Sequence, residues 1–268
     1  MQLARSLVFT TYMMLSACLW GTLMGLCFFL PYRVQFGLAR AWARSVLWSL
    51  ERLCGLTYTV VGREHIPAGN HIVMSKHTSA WETVALFVIF PPHAWVLKRE
   101  LLWIPFVGWG LKFLRPIAIN RGAGHRAVNQ VIEQGTARLA DGLWIVIFPE
   151  GTRVAVGETR KYGVSGALLA AATGKQVVPL SHNAGVFWPR RGILKKPGTV
   201  QVIIGEPIAS SGKDPRVLNE EIRRAIESGV EQIEPSGACA RQIEAPPANA
   251  RDPRHKSVGT GVANPPAP

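Results

Sequence analysis

Between residues 56 and 233 the chain alternates short apolar runs with stretches of helical periodicity, and no other feature restricts its fold as much. The runs 56–61 (LTYTVV), 71–75 (HIVMS), 94–98 (AWVLK), 116–119 (PIAI), 144–148 (WIVIF), 176–181 (QVVPLS) and 199–204 (TVQVII) have strand length and a high β-branched content. Residues 80–90, 106–114, 125–140, 164–173 and 213–233 instead carry the apolar spacing of amphipathic helices. Strands that are apolar along their whole length need cover on both faces of the sheet. The expected fold class is therefore α/β, a layered, largely parallel or mixed sheet flanked by helices.

Ahead of this domain, residues 6–32 contain no charged side chain, a run of 27 residues. As a helix it would measure about 40 Å at roughly 1.5 Å per residue, enough to cross a hydrocarbon core of about 30 Å. Leu15-Ser16-Ala17-Cys18 resembles a lipoprotein cleavage box, but the chain stays apolar beyond Cys18, where a cleaved lipoprotein would begin a polar tether. Residues 1–32 are thus expected to form an uncleaved membrane anchor helix. Arg33, Arg40 and Arg44 follow it and only Arg5 precedes it, which places the main domain on the cytoplasmic side of the cell (inner) membrane.

Residues 33–55 read as an amphipathic membrane-associating helix. Leu38, Trp42, Val46, Leu50 and Leu53 share one face, with Arg33, Arg40, Arg44 and Glu51 opposite. Such a helix can lie among headgroups, where Arg33, Arg40, Trp42 and Arg44 would contact the bilayer, or dock on the domain core. The expected catalytic domain is 56–234. From 235 to 268 the chain is rich in Pro, Ala and Gly and reads as a disordered tail.

The formal net charge of +13 asks for an anionic partner. Residues 61–212 alone carry +9, without the Lys/Arg blocks of a nucleic-acid arm, so no nucleic-acid partner is expected. The four cysteines include no C-x-x-C pair and no histidine pair has zinc spacing, so no metal site is expected.

Basic and titratable residues gather instead at strand ends. His77 follows a strand and Glu82 lies five residues later, about 140° apart on an ideal helix of 3.6 residues per turn. They can meet only if His77 precedes the helix cap, in which case Glu82 could orient one ring nitrogen and leave the other as a base. On spacing alone, a loop histidine beside a capping acid is the readier reading. Phe148-Pro149-Glu150-Gly151-Thr152-Arg153 follows the most apolar strand, a common ligand position in α/β sheets, and Arg153 offers a planar fork for phosphate. Lys98 and Arg121 stand just beyond two other strands. A base and several cations on one sheet edge suit a hydroxyl substrate bearing a phosphate. His71 and His182 lie in strand patterns and read as structural. Trp103, Phe106, Trp109 and Phe113 read as core, or as the lining of an acyl channel. Phe187, Trp188, Arg190, Arg191, Lys195 and Lys196 form an aromatic-basic loop that either rests on anionic headgroups or is solvated.

The order H-x4-acid (77–82), K-x-E-L-x-x-I-P-x-x-G (98–108), I-N-R (119–121), F-P-E-G-T-R (148–153) and V-P-L (178–180) resembles the glycerophospholipid acyltransferase family. The resemblance covers roughly residues 30–230. Two positions depart from it: Glu82 stands where most members have Asp, and Lys76 where Asn is common. The resemblance implies an acyltransferase in which His77 takes the proton of the 2-hydroxyl of lysophosphatidate and Glu82 orients the imidazole. The acyl donor would be acyl-CoA or acyl-acyl carrier protein, with the bilayer as a further partner, and no cofactor is implied. Substrate phosphate would be bound around Lys98, Arg121, Glu150, Gly151, Thr152 and Arg153. An acyltransferase acting on another lysolipid, and a non-catalytic lipid-binding protein, are the alternatives.

Overall fold

The computed structural model describes residues 1–233, so the tail read at 235–268 lies outside the described residues. Its helices are α1 (Gln2–Leu26), α2 (Tyr32–Cys54), α3 (Trp81–Ile89), α4 (Val107–Phe113), α5 (His125–Ala140), α6 (Ser165–Thr173), α7 (Ala184–Phe187) and α8 (Pro215–Gln232). Its strands are β1 (Leu56–Val61), β2 (Ile72–Ser75), β3 (His93–Lys98), β4 (Ile117–Ile119), β5 (Trp144–Ile147), β6 (Val177–His182) and β7 (Gly198–Ile204). Each apolar run read as a strand forms one.

The strands build one mixed sheet in the order β1-β7-β6-β2-β5-β3-β4. Strands β6, β2, β5, β3 and β4 are mutually parallel, whereas β7 runs antiparallel to β6 and pairs in parallel with β1. Alternate residues serve opposite faces. Val73, Val146 and Val178 pack with α2 and α3, while Ile72, Met74, Ile145 and Ile147 pack with α5, α6 and α8. Both faces are covered, which is why β2 and β5 are buried along their whole length.

The anchor helix is apolar enough to qualify as a membrane span, yet it ends at Leu26 and does not stand clear of the domain. At its start, the Gln2 side chain donates to the carbonyls of Cys54 (2.9 Å) and Lys195 (2.7 Å), and Ser6 Oγ accepts the Lys195 N–H at 2.9 Å. Near its end, Gly21 faces α4 so closely that a Cβ there would lie 2.4 Å from the Phe106 carbonyl oxygen. Leu7, Leu15 and Leu19 of the helix remain exposed, as do Phe28 and Phe29 just beyond its end.

The second helix docks on the domain through Phe36, Ala39, Ala43, Val46 and Leu50. Two residues expected at the headgroups are committed elsewhere. Arg40 donates to the carbonyls of Phe87 (2.9 Å) and Phe90 (2.8 Å), closing the C-terminal end of α3, and Trp42 donates to Ser16 of α1 at 3.2 Å. Arg33 and Arg44 are exposed. Conversely, Trp103, Phe106 and Trp109 are not core: they are 66%, 44% and 45% exposed, Phe106 and Trp109 beside the C-terminal half of α1. Together with α1 they form an apolar surface of the kind that enters lipid.

Candidate active site

Strand β2 ends at Ser75, and the next five residues form an irregular turn before α3. The turn lets His77 and Glu82 meet, as a continuous helix would not. His77 Nδ1 lies 2.8 Å from Glu82 Oε1, and that same oxygen accepts the backbone N–H groups of Thr78 (3.1 Å) and Ser79 (2.9 Å). Glu82, in the first turn of α3, therefore both fixes the turn ahead of the helix and orients the imidazole. With two amide donors already on it, Glu82 is a carboxylate, so His77 Nδ1 carries the proton toward it and Nε2 is left as the basic nitrogen. The ring is further fixed by stacking on Phe148, with centroids 3.9 Å apart and planes inclined by 13°.

Glu82 is 1% exposed, and burial by itself would raise its pKa. Its neighbours His182 and His77 and the Ser79 N–H outweigh burial and hold the carboxyl below its ordinary value. His182, read as structural from sequence, stands 3.9 Å from Glu82 Oε2. Its Nε2 donates to the Lys76 carbonyl at 2.9 Å, which fixes the chain just ahead of His77. Burial keeps this imidazole below the ordinary histidine range. The signal was its place at the end of β6, a strand whose neighbour, β2, leads to His77.

Glu150 was grouped with the phosphate-binding residues, and the structure corrects this. Its Oε2 accepts the His77 N–H at 2.7 Å and its Oε1 lies 2.9 Å from Lys76 Nζ. A buried, inward-facing carboxylate would repel a phosphate; here it holds the backbone of His77. The same loop returns a bond from the Val154 N–H to the His77 carbonyl at 2.9 Å. Lys76 continues to Glu227 of α8 (2.8 Å), which also accepts the Tyr162 hydroxyl at 2.8 Å. Burial pushes the Glu150 carboxyl up, and the nearby Glu227, which shares its cation, adds to the effect. Neither Glu227 nor Tyr162 carried a sequence signal, since contacts across 151 residues leave no spacing to read.

The cations lie along one edge. Strands β2, β5, β3 and β4 are consecutive and parallel, and His77, Arg153, Lys98 and Arg121 follow their C-terminal ends in that order. Neighbouring strands lie about 4.8 Å apart, so the row is a few strand widths long. Arg153 is half-buried, and its Nε is a buried donor without a hydrogen-bond partner among the described residues. Lys98 is half-exposed and lies 3.6 Å from Glu100. Arg121 opens a short 3-10 turn (Arg121–Ala123), and its side chain is outside the described residues. Gly151 has φ 69°, a left-handed conformation that suits glycine at the tight turn after Pro149, and Thr152 is half-buried beside it. Among the described residues, no group of three or more His, Cys, Asp or Glu is placed to hold a metal ion.

A carboxylate-held imidazole at a strand end, with cations after the neighbouring strands, is the layout of an acyltransferase site, and residues 57–183 match the family model described as Acyltransferase. The chain belongs to this family, in the branch of the 1-acyl-sn-glycerol-3-phosphate acyltransferases. It is 42% identical over 229 residues to the enzyme of that name from Pseudomonas aeruginosa, covering 84% of this chain and 88% of the relative. The human 1-acyl-sn-glycerol-3-phosphate acyltransferase alpha is 24% identical over 200 residues, 72% of this chain and 71% of the relative. The crystal structure of the 1-acyl-sn-glycerophosphate acyltransferase from Thermotoga maritima has a similar fold. Its TM-score is 0.73 at 23% identity, covering 87% of this chain and 96% of that one.

Proposed function

We propose that the protein transfers a fatty acyl group from an acyl thioester, acyl-CoA or acyl-acyl carrier protein, to the 2-hydroxyl of 1-acyl-glycerol-3-phosphate, giving phosphatidate. The observation that carries the reading is the bond of 2.8 Å between His77 Nδ1 and a buried carboxylate, Glu82, that two backbone N–H groups also hold. His77 Nε2 takes the proton as the hydroxyl oxygen attacks the thioester carbonyl. Collapse of the tetrahedral adduct breaks the C–S bond, and the thiolate leaves with the proton returned by the imidazolium. Glu82 offsets the charge that forms on the ring, and general-base help of this kind is worth about 10²–10⁴ in rate. A thioester is already activated, so no cofactor enters the scheme. Arg153, with Lys98 and Arg121 further along the edge, neutralises the acceptor phosphate.

The exposed apolar side of α1, with Trp103, Phe106 and Trp109, supports seating on a bilayer from which the lysolipid is drawn. Because both ends of α1 contact the domain, we read the helix as lying along the membrane interface. The Arg33 and Arg44 charges favour the cytoplasmic face of the inner membrane. The test is an assay of the purified protein with labelled acyl-CoA or acyl-acyl carrier protein and a panel of lysolipids. Transfer to lysophosphatidate ahead of lyso-ornithine lipid or neutral lysolipids is expected. If no acceptor is acylated, the enzymatic reading falls.

A further inference from the structure

The cations assigned to the acceptor follow β5, β3 and β4, all on one side of β2. On the other side β2 is paired with β6, and the chain after β6 carries Arg190 and Arg191. Both are exposed, and neither has an acidic partner among the described residues. They border a groove of about 510 Å³ whose floor includes Thr78, the residue next to the base. The floor is tight, since the Gly185 N–H donates to Thr78 Oγ1 at 3.2 Å and a Cβ at Gly185 would lie 2.8 Å from Thr78 Cβ. The segment 154–156 supplies an apolar wall, ending in Val156, which is 51% exposed. Glu158 also borders the groove and leaves its side chains with a net positive charge.

We propose that this groove binds the phosphorylated carrier arm of the acyl donor, with Arg190 and Arg191 on its phosphate groups and its apolar wall along the arm. The proposal rests on the reading above that the donor is an acyl thioester. Each substrate of that reaction then brings phosphate, and like charges placed side by side would oppose one another's binding. The two sets of cations follow strands on opposite sides of the strand that leads to His77, and the groove meets the acceptor side at its wall, 154–156, just past Arg153, so the two reacting ends can reach the base from different strand ends. Arginine suits the task because its planar fork takes two phosphate oxygens at once.

The full-length R190Q/R191Q variant in detergent micelles tests the proposal. The donors are a long-chain acyl-CoA and the matching acyl thioester of N-acetylcysteamine, which keeps the reactive bond but has no phosphate. The KM for acyl-CoA should rise by about tenfold or more, a loss of the size expected for one charge-assisted contact. The KM for lysophosphatidate, the kcat and the rate with the phosphate-free donor should stay at wild-type values. Calorimetric titration of CoA itself should show the same weakening without turnover. Equal losses with both donors, or a raised KM for lysophosphatidate, would overturn the proposal. A defect seen only as weaker sedimentation with anionic vesicles would also overturn it, by placing these arginines on lipid headgroups. Failure of the wild type to use any donor sinks the enzymatic reading instead, and the CoA titration still decides whether the groove binds phosphate.

Discussion

The backbone N–H of His77 donates to Glu150 Oε2 at 2.7 Å, across 73 positions of sequence. His77 is thereby held twice, at its ring by the first turn of α3 and at its backbone by the loop after β5. Loss of the second hold should appear in catalysis. Glu150→Ala should lower kcat by about tenfold or more, the cost of an unsatisfied buried donor, while Glu150→Gln, which can still accept the His77 N–H, should retain more activity. Steady-state kinetics of the two variants make the comparison, and equal losses would mean that the negative charge matters more than the hydrogen bond.

His77→Ala should reduce kcat by about 10²–10⁴ with lysophosphatidate binding retained. Glu82→Asp shortens the carboxylate by one methylene and should remain active at a reduced rate. Glu82→Ala removes the acceptor of one imidazole and two backbone N–H groups, and should be nearly inactive. Turnover by His77→Ala at the wild-type rate would remove His77 as the base.

The Lys76 side chain is 3% exposed and sits between Glu150 and Glu227. Replacing one partner of a buried ion pair leaves the others uncompensated, so Lys76→Met should destabilise the fold by about 3–5 kcal/mol. Adding Glu227→Gln to that variant should restore part of the loss, because one stranded carboxylate becomes neutral. Denaturant unfolding of the two variants beside the wild type checks both statements.

Burial lowers His93 to about 4, and His182 is lowered in the same way. In the unfolded chain both take up protons near their ordinary value of about 6.5. Their neutral, buried state therefore favours folding above that pH, and this contribution is lost as pH falls toward 4. The lowered pKa of Glu82 acts in the same direction further into acid, whereas the raised pKa of Glu150 opposes it. The unfolding midpoint should fall between about pH 6.5 and 4, and His93→Gln should flatten that part of the curve.

Gly21 and Gly110 bring α1 and α4 together, since a Cβ at Gly110 would lie 2.8 Å from Gly21 Cα. Gly21→Val should force α1 away from α4 and open the N-terminal segment to limited proteolysis in detergent. A digestion pattern identical to that of the wild type would show that close packing here is not required.

The strands were legible because each is a nearly continuous apolar run, and a parallel sheet buried on both faces demands that composition. Helices α3, α4, α5, α6 and α8 were legible from their periodicity. The pairing of His77 with Glu82 was legible only as a condition, that the histidine precede the helix, and the turn at 76–80 meets it. Other assignments failed for a common reason. Arg40 and Trp42 have the side chains of headgroup contacts, yet their donors go to α3 and α1. Trp103 and Trp109 have core composition, yet both are exposed. Composition measures affinity for an apolar medium and does not distinguish protein interior from lipid.

By itself the sequence determined the α/β class, an apolar N-terminal helix, and a set of cations at strand ends with one histidine among them. Local patterning suffices for these, because side-chain period and backbone preference act within a few residues. Tertiary structure alone decided that β2, β5, β3 and β4 stand side by side, lining up His77, Arg153, Lys98 and Arg121. It alone decided that Glu150 turns inward to His77, that Lys76 ties it to α8, and that Arg190 and Arg191 border a groove reaching Thr78. Strand order and buried ion pairs depend on contacts between residues far apart in the chain, and one sequence leaves no local trace of them.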